Sequence, residues 1–317
     1  MRFVWKRVVQ LVVVLLSVTF LSSLMLNFLP GDAAIVVCGA SCTTEQYQQV
    51  REEMGLNEPV LVRYGQWLGR VVRGDLGASN VNKEQVSTAL AQRLPVTLEL
   101  LVMSQIVALG LSIPLGVISA RRPNGAVDKT STAVGFIFLA VPAFVVGLIL
   151  QIVFAVKFHL FPATGYKAFF DDPLTNIRDL VLPSVTLAMG EIAVYSRLLR
   201  TDLMGTLQED YIMMARAKGL TSRRIMWRHA FRPSTFSLIT VAGLRIGGLI
   251  GGAVIIESVF VINGIGFYAV QAIGKRDPVP LQGAIVVIAV GYVLINFAVD
   301  MFYAILDPRI RHARAIA

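Results

Sequence analysis

Four stretches of this chain run without a single charged residue: Val8–Leu29 (22 residues), Leu100–Ala120 (21), Thr130–Val156 (27) and Pro278–Val299 (22). Roughly 20 consecutive apolar residues cross the hydrocarbon core of a bilayer. No water is there to satisfy backbone N–H and C=O groups, so each run predicts a helix. Two further candidates are interrupted by charge: Leu180–Ser196 contains Glu191, and Pro233–Ile262 contains Arg245 and Glu257. The expected fold is therefore all-α, a polytopic membrane protein with six transmembrane helices. Composition agrees, since 55% of residues are hydrophobic and only 15% charged, against about 25% charged in a soluble domain. The net charge of +9 does not read as nucleic-acid binding. The basic residues alternate with long apolar runs and make no basic, aromatic surface of the kind an RNA binder presents.

Charge placement orients the helices. With both termini in the cytoplasm, the inside segments hold 17 Lys and Arg and the outside loops 11, while acidic residues number five inside and 11 outside. Weighted toward the short loops, the positive-inside rule gives an N-in, C-in topology. Arg2, Lys6 and Arg7 precede the first run, which is too long for a usual signal-peptide core and reads as an uncleaved anchor. The chain thus divides into a first transmembrane anchor (1–29), an extracytoplasmic segment (30–94) and a five-span core (95–317). A cytoplasmic loop at about 200–233 lies between spans 4 and 5.

The outside segment reads as folded. Thr44–Met54 has helix-forming residues, with Gly55 placed to end it. In Val60–Val72 the residues Tyr64, Trp67 and Leu68 share a face. That face either lies at the membrane interface, which favours Tyr and Trp, or packs on the spans. Cys38 and Cys42 fall in the same outside segment. There they are either a disulfide, as an oxidising compartment permits, or two unpaired small residues. Two thiolates alone leave a metal's coordination sphere half empty, so no metal site is expected.

The loop Tyr211–Pro233 stands apart. Arg216, Lys218, Arg223, Arg224, Arg228 and Arg232 make it strongly basic, and Gly219 divides it into two short helical pieces. Glycine adopts backbone angles that other residues resist, so a compact elbow is expected there. Ile212, Ala215, Leu220, Ile225 and Trp227 are then available to pack into a partner's groove inside a rim of arginines. Two other readings of this charge are open: simple obedience to the positive-inside rule, and binding of anionic lipid.

In the fifth span Gly243, Gly247 and Gly251 recur at i+4, as do Gly248 and Gly252, a spacing that lets helices approach closely in lipid. Three uses are open: packing within this bundle, contact with a second membrane subunit, and the wall of a pathway. Arg245 lies within that span, where a charge is costly unless paired or wetted. It either lines a pathway with Glu191 and Glu257, touching substrate or not, or forms an internal ion pair or reaches the interface. Glu99 and Asp300 lie nearer span ends and are given no transport role.

No catalytic constellation is visible. His159, His229 and His312 all lie outside the spans, and no G-x-x-x-x-G-K-[ST] phosphate loop occurs. Gly274-Lys275 is followed by Arg276, without the upstream glycine spacing.

Short motifs run the length of the chain. They are LPGDAA (Leu29–Ala34), GLNEPVLVRYGQWL (Gly55–Leu68), GDLGAS (Gly74–Ser79) and RLPVTLEL (Arg93–Leu100). ARAKGL (Ala215–Leu220) follows, then His229, Arg232 and Pro233, ESVFVINGIG (Glu257–Gly266) and LDPRIR (Leu306–Arg311). In number, order and position these resemble the inner-membrane permease subunits of bacterial ABC importers, in the dipeptide/oligopeptide branch. Two departures are Met213-Met214-Ala215, in the loop named for Glu-Ala-Ala across these permeases, and Asn263, where a proline is usual.

The resemblance implies a multi-pass protein of the bacterial inner membrane that forms the path for di- or oligopeptides. The partners it implies are a second, similar permease, two cytoplasmic ATPases, an extracytoplasmic substrate-binding protein and membrane lipid, with no nucleic acid. It places ATPase coupling at Ala215, Arg216, Lys218, Gly219, His229, Arg232 and Pro233. This chain would bind no cofactor and would not be an enzyme, because ATP and Mg are held by the partner ATPases. Nickel and haem importers share the branch. An ATP-independent secondary transporter is the competing class, although such proteins more often show internal repeats.

Overall fold

The computed structural model describes residues 2–26, 33–38, 42–53 and 55–306, so Leu29–Asp32, Asp307–Arg311 and His312 lie outside the described residues. What is described is helical, apart from turns and one isolated β-bridge between Ala78 and Gln85. The helices are α1 (Arg2–Leu26), α2 (Ala33–Cys38), α3 (Thr44–Glu53), α4 (Val60–Val72) and α5 (Val86–Arg121). Next come α6 (Ala126–Ala140), α7 (Ala143–Leu150) with a π-helical extension Gln151–Lys157, and α8 (Pro173–Thr206). Then follow α9 (Asp210–Ala217), α10 (Ser222–Arg224), a π-helical stretch Ile225–Ala230 and α11 (Phe231–Phe260). The last two are α12 (Ile265–Gly274) and α13 (Pro278–Leu306).

Among the described residues three helices are long and apolar enough to cross a membrane: α5, the continuous Ser222–Phe260, and Pro278–Val299 of α13. A fourth is added if α6 and α7 count as one span. Here the structure departs from the sequence expectation, because the uncharged run Thr130–Val156 is two helices meeting at 109°. The cause is Pro142. It has no N–H to donate and pushes the preceding residue out of the helical region, and Val141 is accordingly extended at φ −91°, ψ 130°. Pro183, by contrast, lies inside α8 without ending it.

The chain forms two compact units, each discontinuous in sequence: residues 1–98 with 262–297, and residues 99–261 with 298–317. In the first, Val86, Ala89 and Leu90 of α5 pack with Ile265, Tyr268, Ala269 and Ala272 of α12 and Leu281 and Ala284 of α13. Contact there is close: a Cβ on Gly283 would stand 2.5 Å from a Val86 methyl. The buried Asp277 carboxylate accepts from the Ser79 hydroxyl (2.6 Å) and the Val81 N–H (3.3 Å), tying down the turn before α5. Tyr64 resolves the two readings of α4. Its hydroxyl is 2.9 Å from Thr19 Oγ1, and its ring meets Phe20 edge-on and stacks on Trp67, so this face packs on α1. Cys38 and Cys42 are joined by a disulfide, with Cα atoms 5.5 Å apart. Asn263 accepts from Arg93 Nε at 3.2 Å, and the same guanidinium lies over the Tyr268 ring.

In the second unit α8 is the central helix, packed by α6, α7 and α11. Its Ala188, Tyr195, Leu199 and Leu203 meet Ala108, Val117 and Ala120 of α5 and Leu238 and Ala242 of α11. Small residues set the spacing, with Gly135 of α6 closing on Ala193. Asp172 caps α8 by accepting from the Thr175 N–H. The Thr175 hydroxyl, also donating to it, holds this carboxyl below its usual range. Tyr166 donates to Glu99 at 2.6 Å; burial first, and then that carboxylate, push the phenol well above its ordinary value. The outward sides of α6 and α7 expose Phe136, Ile137, Ile149, Ile152 and Val156. Exposed apolar surface of this extent is covered by lipid or by another protein.

Candidate functional site

The loop joining α8 to α11 builds itself from local signals. Asp210 opens α9 with a negative charge in the first turn, where the helix dipole favours it. At the other end the Gly219 N–H bonds the Arg216 carbonyl and the Leu220 N–H reaches back to Ala215, with Gly219 at φ +74°. That is a Schellman ending, which needs the left-handed conformation glycine adopts without a Cβ penalty. Thr221 then caps α10, its hydroxyl accepting from the Arg224 N–H. Ile212, Ala215 and Ile225 form a small buried cluster, against which Leu207 and Leu220 pack. The Tyr211 hydroxyl donates to the His229 carbonyl at 3.3 Å, and Arg216 Nη2 reaches the Leu207 carbonyl at 3.5 Å. Burial, with the Glu209 charge second, raises the Tyr211 phenol above its ordinary value.

The elbow is thus self-supporting, and this corrects one expectation. Ile212, Ala215 and Ile225 do not face outward to a partner; they hold α9 to the following helix. Two-turn helices bury their apolar stripe against whatever lies nearest, and here that is each other. The apolar surface left outside is Met213 (54% exposed), Met214 (59%), Trp227 (47%) and Tyr211 (45%). Sequence reasoning included Trp227 but treated the two methionines only as a departure from a pattern. An uncommon apolar pair beside the glycine elbow was the available signal. Lys218, Arg232 and Pro233 are exposed, His229 is half-buried and Arg216 is exposed.

A second cluster lies deeper in the same unit. Arg245 Nε of α11 is 2.5 Å from Glu191 Oε2 of α8, with side-chain exposures of 41% and 9%. Gln105 of α5 donates to the Tyr195 hydroxyl at 3.1 Å and to the Ala242 carbonyl at 3.4 Å, extending the polar layer across three helices. Gln105 and Tyr195 were not anticipated, since only charges were sought within the spans; a lone glutamine in an apolar run was the missed signal. Of the three residues considered together, the structure joins Arg245 to Glu191 only. Glu257 is fully buried and lies 12 residues further along α11, about 18 Å at the helical rise.

The glycine stripe serves more than one surface. A Cβ on Gly243 would stand 3.0 Å from a Val299 methyl and one on Gly252 2.9 Å from Leu187, so both pack within the chain. Gly247 is buried, whereas a Cβ on Gly248 or Gly251 would meet nothing within 4 Å. Among the described residues no three His, Cys, Asp or Glu side chains gather as a metal site.

Comparison with known proteins gives this geometry a family. Residues 112–312 match the family model described as binding-protein-dependent transport system inner membrane component, and residues 1–101 match that of its N-terminal part. The oligopeptide transport system permease protein AppB of Bacillus subtilis is 37% identical over 313 residues, covering 98% of this chain and 99% of its own. The dipeptide transport system permease protein DppB of Escherichia coli K12 is 30% identical over 338 residues, covering 99% and 100%. Among solved structures, the MetNI methionine ABC transporter in inward-facing conformations matches with a TM-score of 0.56 at 19% identity. That match covers 69% of this chain and 96% of the other, and it shows a shared fold.

Proposed function

The chain belongs to the family of binding-protein-dependent transport system inner membrane components, and from that premise we propose that it is a permease subunit of an ATP-driven importer of di- or oligopeptides. Six spans with both termini in the cytoplasm, in a bacterial inner membrane, complete the reading. Its partners are a second permease, two cytoplasmic ATPases and an extracytoplasmic substrate-binding protein. ATP hydrolysis belongs to the ATPases; this chain supplies the path and the lever.

The observation that carries the reading is the self-supporting elbow, which turns Met213, Met214 and Trp227 outward beside Lys218 and Arg223. An apolar knob ringed by positive charge suits a partner groove with an acidic rim. Its two arms connect to long helices: α8 leads in across the turn Leu207–Glu209, and the helix from Ser222 to Phe260, apolar enough to cross a membrane, leads out. A push on the elbow therefore moves α8 against α11, and the Glu191–Arg245 contact lies between those two helices. Alternating access follows if ATP-driven movement of the elbow tilts the two helices between inward-open and outward-open arrangements. Because a peptide carries a carboxylate, Arg245 is the residue of this layer suited to face substrate.

Gentle solubilisation of the tagged chain from its native membrane, followed by mass spectrometry of what co-purifies, tests the assembly. A second permease together with ATPase subunits is the expected outcome. Recovery of the chain alone, under conditions that preserve known complexes, contradicts it.

A further inference from the structure

The helix that leaves the elbow has an exposed side of which the importer reading uses only Trp227 and Arg232, leaving the rest without an occupant. Arg224, Trp227, Arg228, Arg232, Phe236 and Ile239 recur along it at helical spacing and line a groove of about 520 Å³. Met226, Ala230 and Leu238 on the opposite side are buried in the unit's core. Among the described residues none of the three arginines meets a carboxylate. Three guanidinium groups at successive i+4 positions repel one another until an anion is supplied.

The groove is graded along its length. The arginines occupy its N-terminal end, and Phe236 (53% exposed) and Ile239 (41%) the other. From Arg224 to Ile239 is about 22 Å at the helical rise, and the far end lies within a helix apolar enough to cross a membrane. At the junction Trp227, a residue type that favours the headgroup level, meets Phe231 edge-on at 5.1 Å. A cytoplasmic protein matches the arginine end but not the apolar end. An occupant that matches both is anionic at one end and hydrocarbon at the other.

We infer that this groove binds an anionic phospholipid, with its phosphate among Arg224, Arg228 and Arg232 and an acyl chain along Phe236 and Ile239. Assignment to the cytoplasmic leaflet rests on the orientation proposed above; the lipid chemistry stands without it.

The test uses the full chain exchanged into mixed micelles containing phosphatidylglycerol and phosphatidylcholine, with retained lipid read by native mass spectrometry. The wild type should retain phosphatidylglycerol over phosphatidylcholine, and Arg224→Gln/Arg228→Gln should lower that preference roughly 30-fold, the effect expected for two interfacial charges. Arg121→Gln/Arg122→Gln removes equal charge from a different loop and should leave the preference unchanged. Unaltered retention in the first variant, or an equal loss in the second, overturns the site. Loss of ATPase co-purification with lipid retention intact also overturns it, and assigns the arginines to protein docking.

A wild-type measurement guards against misfolding of the variant. Phosphatidylglycerol brominated on its acyl chains should quench Trp227 fluorescence, isolated by subtracting Trp227→Phe, more strongly than brominated phosphatidylcholine. Equal quenching by the two lipids overturns the assignment. Neither readout depends on transport, so a failed importer reading and a failed lipid site are distinguishable.

Discussion

The elbow at Gly219 and the polar layer at Arg245 lie in the same compact unit and are built in opposite ways. The buried cluster and the hydrogen bonds that close the elbow join residues fewer than 20 apart in sequence, as in Ile212 with Ile225, Tyr211 with His229 or Ala215 with Leu220. Its apolar interior is closed, and it presents Met213, Met214 and Trp227 outward. The layer joins Gln105, Glu191, Tyr195 and Arg245 from three helices across long separations, and its charges are paired already. An exposed, locally built element offers contacts to something outside the chain. A paired element across helices instead constrains how those helices sit. The first suits a lever's handle and the second its latch.

Three substitutions test that contrast. The largest effect is expected from Met213→Glu/Met214→Glu, which should abolish ATPase association and uptake. Its stability should change by no more than ~0.5 kcal/mol, because both side chains are exposed. A fall in thermal stability comparable to the loss of uptake would show that the methionines are structural instead.

Next in size is Glu191→Gln, which leaves Arg245 without its charge partner. Breaking a buried pair costs about 3–5 kcal/mol, and the partial exposure of Arg245 places this site near or below the lower bound. The double variant Glu191→Gln/Arg245→Gln should recover much of that stability. If it is as unstable as the single variant, the pair is not the element that holds α8 to α11.

The smallest effect concerns Asp128, buried just before the apolar run of α6 and paired with Arg200. The Arg200 hydrogen bond holds its carboxyl below the ordinary range. A depressed carboxyl contributes stability above its unfolded value, and loses that contribution as pH falls through the folded one. Thermal stability should therefore be flat in this respect from neutral pH down to ordinary carboxylate values and decline only below them. Asp128→Asn should flatten that acid limb slightly.

What could be read from the sequence follows the same division. Uncharged runs marked α5 and α13, and the glycine between two short helical patterns marked the elbow, because those signals are local. The fold of Thr130–Val156 was misjudged because counting charges is blind to proline, although Pro142 stood in plain view. Which side of α9 turns inward depended on the packing of Ile212 against Ile225, and periodicity alone does not choose between two apolar faces on a helix of two turns. The Arg245–Glu191 partnership was one of several combinations until the packing of α8 on α11 selected it. Gly248 and Gly251 remain open on this chain while Gly243 and Gly252 do not, a distinction that spacing alone could not make.

The most direct test of the handle is Gly219→Pro in the assembled transporter, reconstituted into vesicles with ATP hydrolysis and peptide uptake measured in the same sample. Proline cannot adopt φ +74° or donate the N–H that closes the elbow. ATP hydrolysis should persist while uptake falls to background, with Gly219→Ala intermediate because the left-handed conformation costs a non-glycine residue about 1–2 kcal/mol. Uptake at the wild-type rate per ATP in Gly219→Pro would contradict it.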